Sequence, residues 1–367
     1  MYSNRLKRLL EDIDRLGLDA VMLTFEPNMY YLSGYGAISL ERLVALVLFR
    51  EQDTACLIVP KLEKDRAEKN CKLQNIEILT YSDVEDPINI LKGLFSKYRV
   101  KHLGVDGGTP YRFVHPIISS GSETDLSLID ETMYSLRIIK DAEEIRCLEK
   151  SADINNKLMV ETIGHVRAGL SEKQLATFVR TRALELGADE VAFTLIQSGG
   201  NSALPHQEPT DRRIGKGEIV LLDIGIRFMG YFSDITRTIT CGGPSQQQQQ
   251  IFDIVYRAQS AALTIAKEGL KAGDLDKKAR QTISEAGYGE YFIHRTGHGL
   301  GLEVHEPPYI KEDNVQELRK GMVFTVEPGI YLAGRFGVRL EDNVIITEDG
   351  HTNLTKLPKS LSIEEYL

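Results

Sequence analysis

The sequence predicts a two-domain protein of mixed α/β (α+β) class, and three observations point there. The chain has 367 residues, more than one ordinary hydrophobic core accommodates. Short apolar runs alternate with amphipathic helical stretches up to about Asp130. The second half then carries two strands of one design, GEIVLLD (217–223) and GMVFTVE (321–327), each running from a glycine to an acid.

Residues 3–16 read as a helix, because Leu6, Leu9, Leu10, Ile13 and Leu16 share a face and Gly17 ends it. VMLTF (21–25) reads as a buried strand. Two apolar runs, LVALVLF and ACLIVP, follow between Leu40 and Pro60, split by the turn-like REQD. A strand (NIEILTY, 75–81), a helix (INILKGLFSKY, 88–98) and a strand (HLGVD, 102–106) complete a small α/β domain. The pattern changes at residues 140–163 to one long helix with its charges first. We place the N-terminal domain at 1–133 and the C-terminal domain at 134–367. The tract Gln246–Gln250, preceded by Pro244 and Ser245, reads as the first turns of a helix with a solvated face.

The two similar strands extend into similar neighbourhoods. Each terminal acid, Asp223 or Glu327, is followed by a glycine-bearing hairpin-like stretch and then by a second acid, Asp234 or Glu341. This suggests a duplicated unit whose halves present carboxylates to one centre.

The bulk composition excludes several classes of function. Hydrophobic residues at 42% and charged residues at 26% are ordinary for a soluble globular protein. A net charge of −9, with no basic run interleaved with aromatics, argues against nucleic acid or an anionic membrane as partner. No apolar run reaches the length of a membrane span, and the N-terminus lacks the pattern of a signal peptide. Cys56, Cys71, Cys147 and Cys241 have no metal-site spacing, so we expect reduced thiols and a cytoplasmic protein.

Taken singly, the acids are explicable as strand-end or surface charges, and Asp234 as a partner of Arg237. Three of the eight histidines, His294, His298 and His305, fall within HRTGHGLGLEVH, which shifts the balance towards a site. If 298–305 is extended, seven steps set His298 and His305 on opposite faces, unless a glycine bulge intervenes. Arg339 and Glu341 share a face of their strand two residues apart. Four acids and one imidazole exceed a closed structural zinc site. They suit two ions of manganese, cobalt, iron or zinc, which together can activate a water and hold a carbonyl.

At these motifs the chain resembles the pita-bread metallopeptidases (M24), in their Xaa-Pro dipeptidase (prolidase) and Xaa-Pro aminopeptidase branch. The segments LLDIGIRFMGYFSDITRT, HRTGHGLGLEVHEPP, TVEPGIY and GVRLEDN carry the resemblance, with NMYYLSGYGAISLERLVALVLF a weaker match to the family's non-catalytic, creatinase-like N-terminal domain. The resemblance implies a C-terminal pita-bread domain of pseudo-two-fold duplicated αβ units. It implies two divalent metals, Mn2+ foremost, with Co2+, Zn2+ or Fe2+ as alternatives. Asp223 would bind one metal and Asp234 would bridge. His298 and Glu327 would complete the first metal's set, and Glu341 would bridge from the other half. Glu327 would also accept a proton from the water. His206 in SALPHQEP would lie near the scissile bond, His305 would contact the substrate carbonyl, and His294 and Arg339 would line the pocket. A homodimer is implied as well.

We expect a small peptide substrate with proline in second position, and a dipeptidase. The alternatives are an Xaa-Pro aminopeptidase acting on longer peptides and a non-peptidase amidohydrolase of the same fold. One departure weighs against the dipeptidase. Some prolidases carry an arginine by the segment matching HEPPYI, a stretch in which this chain has Pro308, Tyr309 and Ile310, with Arg319 further on.

Overall fold

A computed structural model describes residues 2–50, 55–119 and 124–367, and the chain divides into two units, Met1–Arg137 and Ile138–Leu367. In the first unit, helix α1 (Tyr2–Arg15) buries Leu9 and Ile13. The chain continues through β1 (Ala20–Leu23), α2 (Glu26–Ser33), β2 (Ala45–Phe49), β3 (Ala55–Pro60) and α3 (Lys64–Asn70). It ends with β4 (Ile76–Tyr81), α4 (Pro87–Lys97), β5 (His102–Val105), α5 (Tyr111–Ile118), β6 (Asp125–Leu128) and α6 (Asp130–Arg137). The strands form one six-stranded mixed sheet in the order β4-β3-β2-β1-β5-β6. Of the REQD turn, only Arg50 belongs to the described residues.

The second unit is a duplicated element. Helices α7 (Ala142–His165) and α8 (Glu172–Glu185) precede a three-stranded antiparallel sheet of β7 (Glu190–Ser198), β8 (Ile219–Phe228) and β9 (Tyr231–Thr240). Helices α9 (Gln246–Ile265) and α10 (Ala272–Glu285) repeat the helix pair with nearly the same spacing. After them come β10 (Gly297–Gly299), β11 (Glu306–Ile310) and β12 (Val323–Val326), the hairpin β13 (Gly329–Leu332) and β14 (Phe336–Arg339), then β15 (Asp342–Thr347) and β16 (Gly350–Asn353). The second sheet runs β11-β10-β12-β15-β16. Each half has its own apolar core, one joining α7 and α8 to β8, the other joining α9 and α10 to β12.

Local sequence explains the turning points. The β8–β9 hairpin closes through Met229 and Gly230, both at positive φ, as a two-residue turn of right-handed strands requires. Helix α9 starts in a capping box: Ser245 Oγ accepts from Gln248 N, and Gln248 Oε1 accepts from Ser245 N. Gln248 is therefore buried, and the glutamine tract is not solvated throughout.

Arg237 is fully buried and does not pair with Asp234. Three residues along a strand put the two on opposite faces. Its guanidinium meets Asp342 at 2.8 Å and donates to the carbonyls of Thr236, Glu341 and Pro358, tying β9 to β15 and to the C-terminal segment. Replacing Arg237 with Met leaves Asp342 buried with Lys359 and the Asn353 amide, and takes away the partner of its Oδ1. The variant is expected to lose about 3–5 kcal/mol in denaturant unfolding, and a loss under 1 kcal/mol would show that the network holds nothing.

Candidate metal centre

The two hairpin units bring together all nine residues singled out in the sequence. A cavity of about 610 Å³ is lined by His206, Asp223, Asp234, His294, His298, His305, Glu327, Arg339 and Glu341. Its apolar wall comes from Ala192, Phe193 and Leu195 on β7, with Pro205 and Val304, and Arg295 adds a cation. Such a volume holds a small molecule.

Strand register places the first two acids. In the β8–β9 ladder Asp223 pairs with Thr236 and Gly225 with Asp234, so all four point to one face. Glu327 follows β12 and Glu341 precedes β15. Thr236 joins the halves: its hydroxyl donates to Glu341 Oε2 at 2.6 Å, and its carbonyl accepts from Glu341 N.

His298 stands between two glycines that admit neighbouring backbone. A Cβ on Gly297 would lie 1.9 Å from Thr325 O, and one on Gly299 would lie 2.2 Å from Pro307 O. The imidazole Nδ1 donates to Gly299 O at 3.1 Å, which turns Nε2 towards Glu327 Oε1 at 3.3 Å and Asp234 Oδ2 at 3.8 Å. The chain between His298 and His305 is not extended. It turns back, pairing Gly299 with Glu306, and the two rings meet with centroids 4.0 Å apart. The buried ion pair of Lys140 with Glu306, 2.6 Å, anchors this turn.

Arg339 is buried with its guanidinium committed to protein. It forms a close ion pair with Asp223 and donates to Thr236 Oγ1 at 3.1 Å and to Tyr331 OH at 2.9 Å. Tyr331 OH in turn donates to His294 Nε2 at 2.8 Å, while His294 Nδ1 donates to Arg295 O. Tyr331 escaped the sequence reading, since a single tyrosine in PGIYLAG has no periodic signature. His206 sits on the exposed loop after β7. Gln197 Nε2 braces it through the carbonyls of Pro205 and Gln207, and buried Glu172 accepts from Ser198, Asn201 and Thr210 across it.

The charges are unevenly tolerated. Burial pushes Asp234 well above the usual carboxylate range, and the Glu341 and Asp223 carboxylates push it further. Burial raises Glu341 likewise, helped by Glu327 and Asp223. Burial also raises Asp223, against the pull of Arg339. Glu327 goes the other way: against its burial, the hydrogen bond with His298 and the nearby His294 and Arg339 bring it to about 2. His305 is drawn down to about 4 by desolvation in the pocket, His298 and Arg295.

Three oxygens here, Asp223 Oδ1, Asp234 Oδ1 and Glu341 Oε1, are buried with no hydrogen-bond partner. Buried acceptors are seldom left so. Ligand atoms within 4.8 Å of one another group as Asp223–Asp234–Glu341, His298–Glu327–Glu341 and Asp234–His298–His305. This donor set, rich in oxygen with an imidazole, fits divalent metal. None of the three groups joins Asp223 to His298 or Glu327, so the geometry separates residues that the resemblance assigned to one ion.

Without metal, Asp234 and Glu341 have higher pKa values folded than unfolded. The folded chain then binds more protons, and metal-free stability falls as pH rises above the ordinary carboxylate range. Glu327 opposes this only as pH falls below its unfolded value towards 2. The metal-free Asp234→Asn variant, relieved of one like charge, is therefore expected to melt roughly 3–6 °C above metal-free wild type at neutral pH. A lower melting temperature would contradict the repulsion.

Comparison with known proteins covers nearly the whole chain. Residues 146–348 match metallopeptidase family M24, and residues 5–139 match the creatinase/prolidase N-terminal domain. The chain is 37% identical over 362 residues to an Xaa-Pro dipeptidase of Pyrococcus horikoshii, covering 98% of this chain and 99% of the relative. The solved prolidase from Pyrococcus furiosus superposes with a TM-score of 0.87 at 37% identity, covering 95% of this chain and all of that one. An X-Pro aminopeptidase from Thermotoga maritima does so with 0.87 at 33% identity, covering 97% and 98%. Among the described residues no helix is long and apolar enough to cross a membrane, and all four cysteines are free. With its catalytic-domain motifs, its N-terminal domain and full-length relatives all in agreement, the chain belongs to metallopeptidase family M24.

Proposed function

We propose that this protein is a two-metal peptidase that hydrolyses Xaa-Pro bonds, acting chiefly as an Xaa-Pro dipeptidase. The observation that carries the proposal is the set of partnerless buried oxygens on Asp223, Asp234 and Glu341 in the cavity that His298 also lines. Asp223 would hold one ion, His298 and Glu327 the other, and Asp234 and Glu341 both. Mn2+ is our first choice of metal. Bound there, two divalent ions lower the pKa of a water to near neutrality and polarise the carbonyl under attack.

The chain's own groups do the rest. Glu327, ionised at neutral pH, takes a proton from the attacking water. His206 gives a proton to the leaving nitrogen, which in an Xaa-Pro bond carries no hydrogen of its own. His305, neutral at pH 7, donates an N–H to the substrate carbonyl oxygen without adding a second charge. Arg339 holds Asp223 in place and, through Tyr331, orients His294. Phe193, Leu195 and Val304 receive the proline ring.

Arg295 supports the dipeptidase over the aminopeptidase. Its guanidinium lies 4.6 Å from the centre of the Tyr309 ring, so an arginine stands on the cavity wall beside HEPPYI, although the residue that follows that segment in sequence is Lys311, paired with Asp313. We assign Arg295 to the proline carboxylate, which a longer peptide lacks at that position. The Mn2+-loaded protein is expected to cleave an Xaa-Pro dipeptide faster than an Xaa-Pro-Xaa tripeptide. Arg295→Leu should raise KM for the dipeptide about tenfold and leave the tripeptide unchanged. Cleavage of the tripeptide alone would make the enzyme an aminopeptidase, and cleavage of neither would reject the Xaa-Pro assignment.

A further inference from the structure

Each half of the C-terminal unit has one fully buried amide reaching from its long helix to the strands that carry the acids. In α7, Asn155 Nδ2 donates to Ile224 O at 2.8 Å and to Ser233 O at 3.3 Å. In α9, Gln259 Nε2 donates to Val326 O at 2.9 Å and to Leu340 O at 3.1 Å. Each of the four carbonyls belongs to the immediate neighbour of an acid: Ile224 of Asp223, Ser233 of Asp234, Val326 of Glu327 and Leu340 of Glu341. Both amides therefore grip a pair of acid-bearing segments at the same place.

The chemistry of the amide explains why these residues stand there. One NH2 group offers two hydrogens at fixed separation, so a single side chain sets the spacing of two carbonyls. The arrangement has a cost, because the amide oxygens, Asn155 Oδ1 and Gln259 Oε1, are buried without partners. An apolar residue of similar size would avoid that cost and lose the grip.

We propose that Asn155 and Gln259 are positioning residues of the metal centre, each fixing the separation of the two carboxylates its half contributes. The proposal rests on the metal centre of the proposed function, not on the choice of substrate. The test is titration calorimetry of full-length protein with Mn2+ alone, on wild type, Asn155→Leu and Gln259→Met, beside melting of each metal-free protein. Both variants keep side-chain bulk and remove the donors. The expected result is Mn2+ binding weakened about ten- to a hundredfold in each, with metal-free melting temperatures close to wild type. Wild-type affinity in either folded variant would overturn the proposal. So would a lowered melting temperature with unchanged affinity, which is the mark of packing alone. Where one variant fails to fold, the other tests its own half. A wild type that binds no Mn2+ overturns the metal centre itself, whereas one that binds two ions but cleaves no Xaa-Pro peptide overturns only the substrate assignment.

Discussion

Mutual repulsion among four carboxylates, in a place where water cannot screen it, governs the rest of this structure. Asp223, Asp234 and Glu341 are all under a tenth exposed, and Glu327 joins them from the end of β12. Carboxylates so placed either neutralise or find positive charge. Arg339 supplies some of that charge to Asp223, and His298 faces Glu327. The rest is left to ligands from outside the chain, as the partnerless oxygens indicate. Stability is given up locally for this, and the surrounding network of Arg237, Asp342 and Lys359 keeps the strands in register.

The duplicated fold makes such a cluster feasible. Each half contributes a strand acid and a second acid beyond a hairpin turn, and each backs them with a helix carrying one buried amide. The site thus lies where two equivalent units converge, with Thr236 bonded to Glu341 across the join. Apolar walls from β7 and the turn before β11 then give the centre a pocket for an uncharged ring.

Much of this was legible in the sequence because it is local. Apolar runs closed by acids, glycines that flank His298 and the capping pair Ser245–Gln248 all leave a signature within a few residues. The first strand nonetheless does not end at its acid as expected: β8 runs on through Asp223 to Phe228, because its ladder with β9 continues to the hairpin turn. Helix α2 left none: six of its eight residues are buried, so it lacks a polar face to set the period. The meeting of His298 and His305 was hidden for another reason. Strand periodicity separates them, and only the reversal that pairs Gly299 with Glu306 brings their rings together. Arg237 looked like a surface partner for Asp234, but it lies on the other face of β9 and pairs with Asp342, which is remote in sequence. Tyr331, Asn155 and Gln259 have the same character, since their roles come from tertiary register and not from any motif.

The central claim is that the two halves together hold two metal ions on five side chains. Anomalous diffraction from crystals soaked in Mn2+ tests it most directly. The account predicts two manganese peaks in the cavity, one touching Asp223, the other touching His298 and Glu327, with Asp234 and Glu341 in contact with both. A single peak bound by Asp234, His298 and His305, the alternative grouping that the geometry offers, would contradict it.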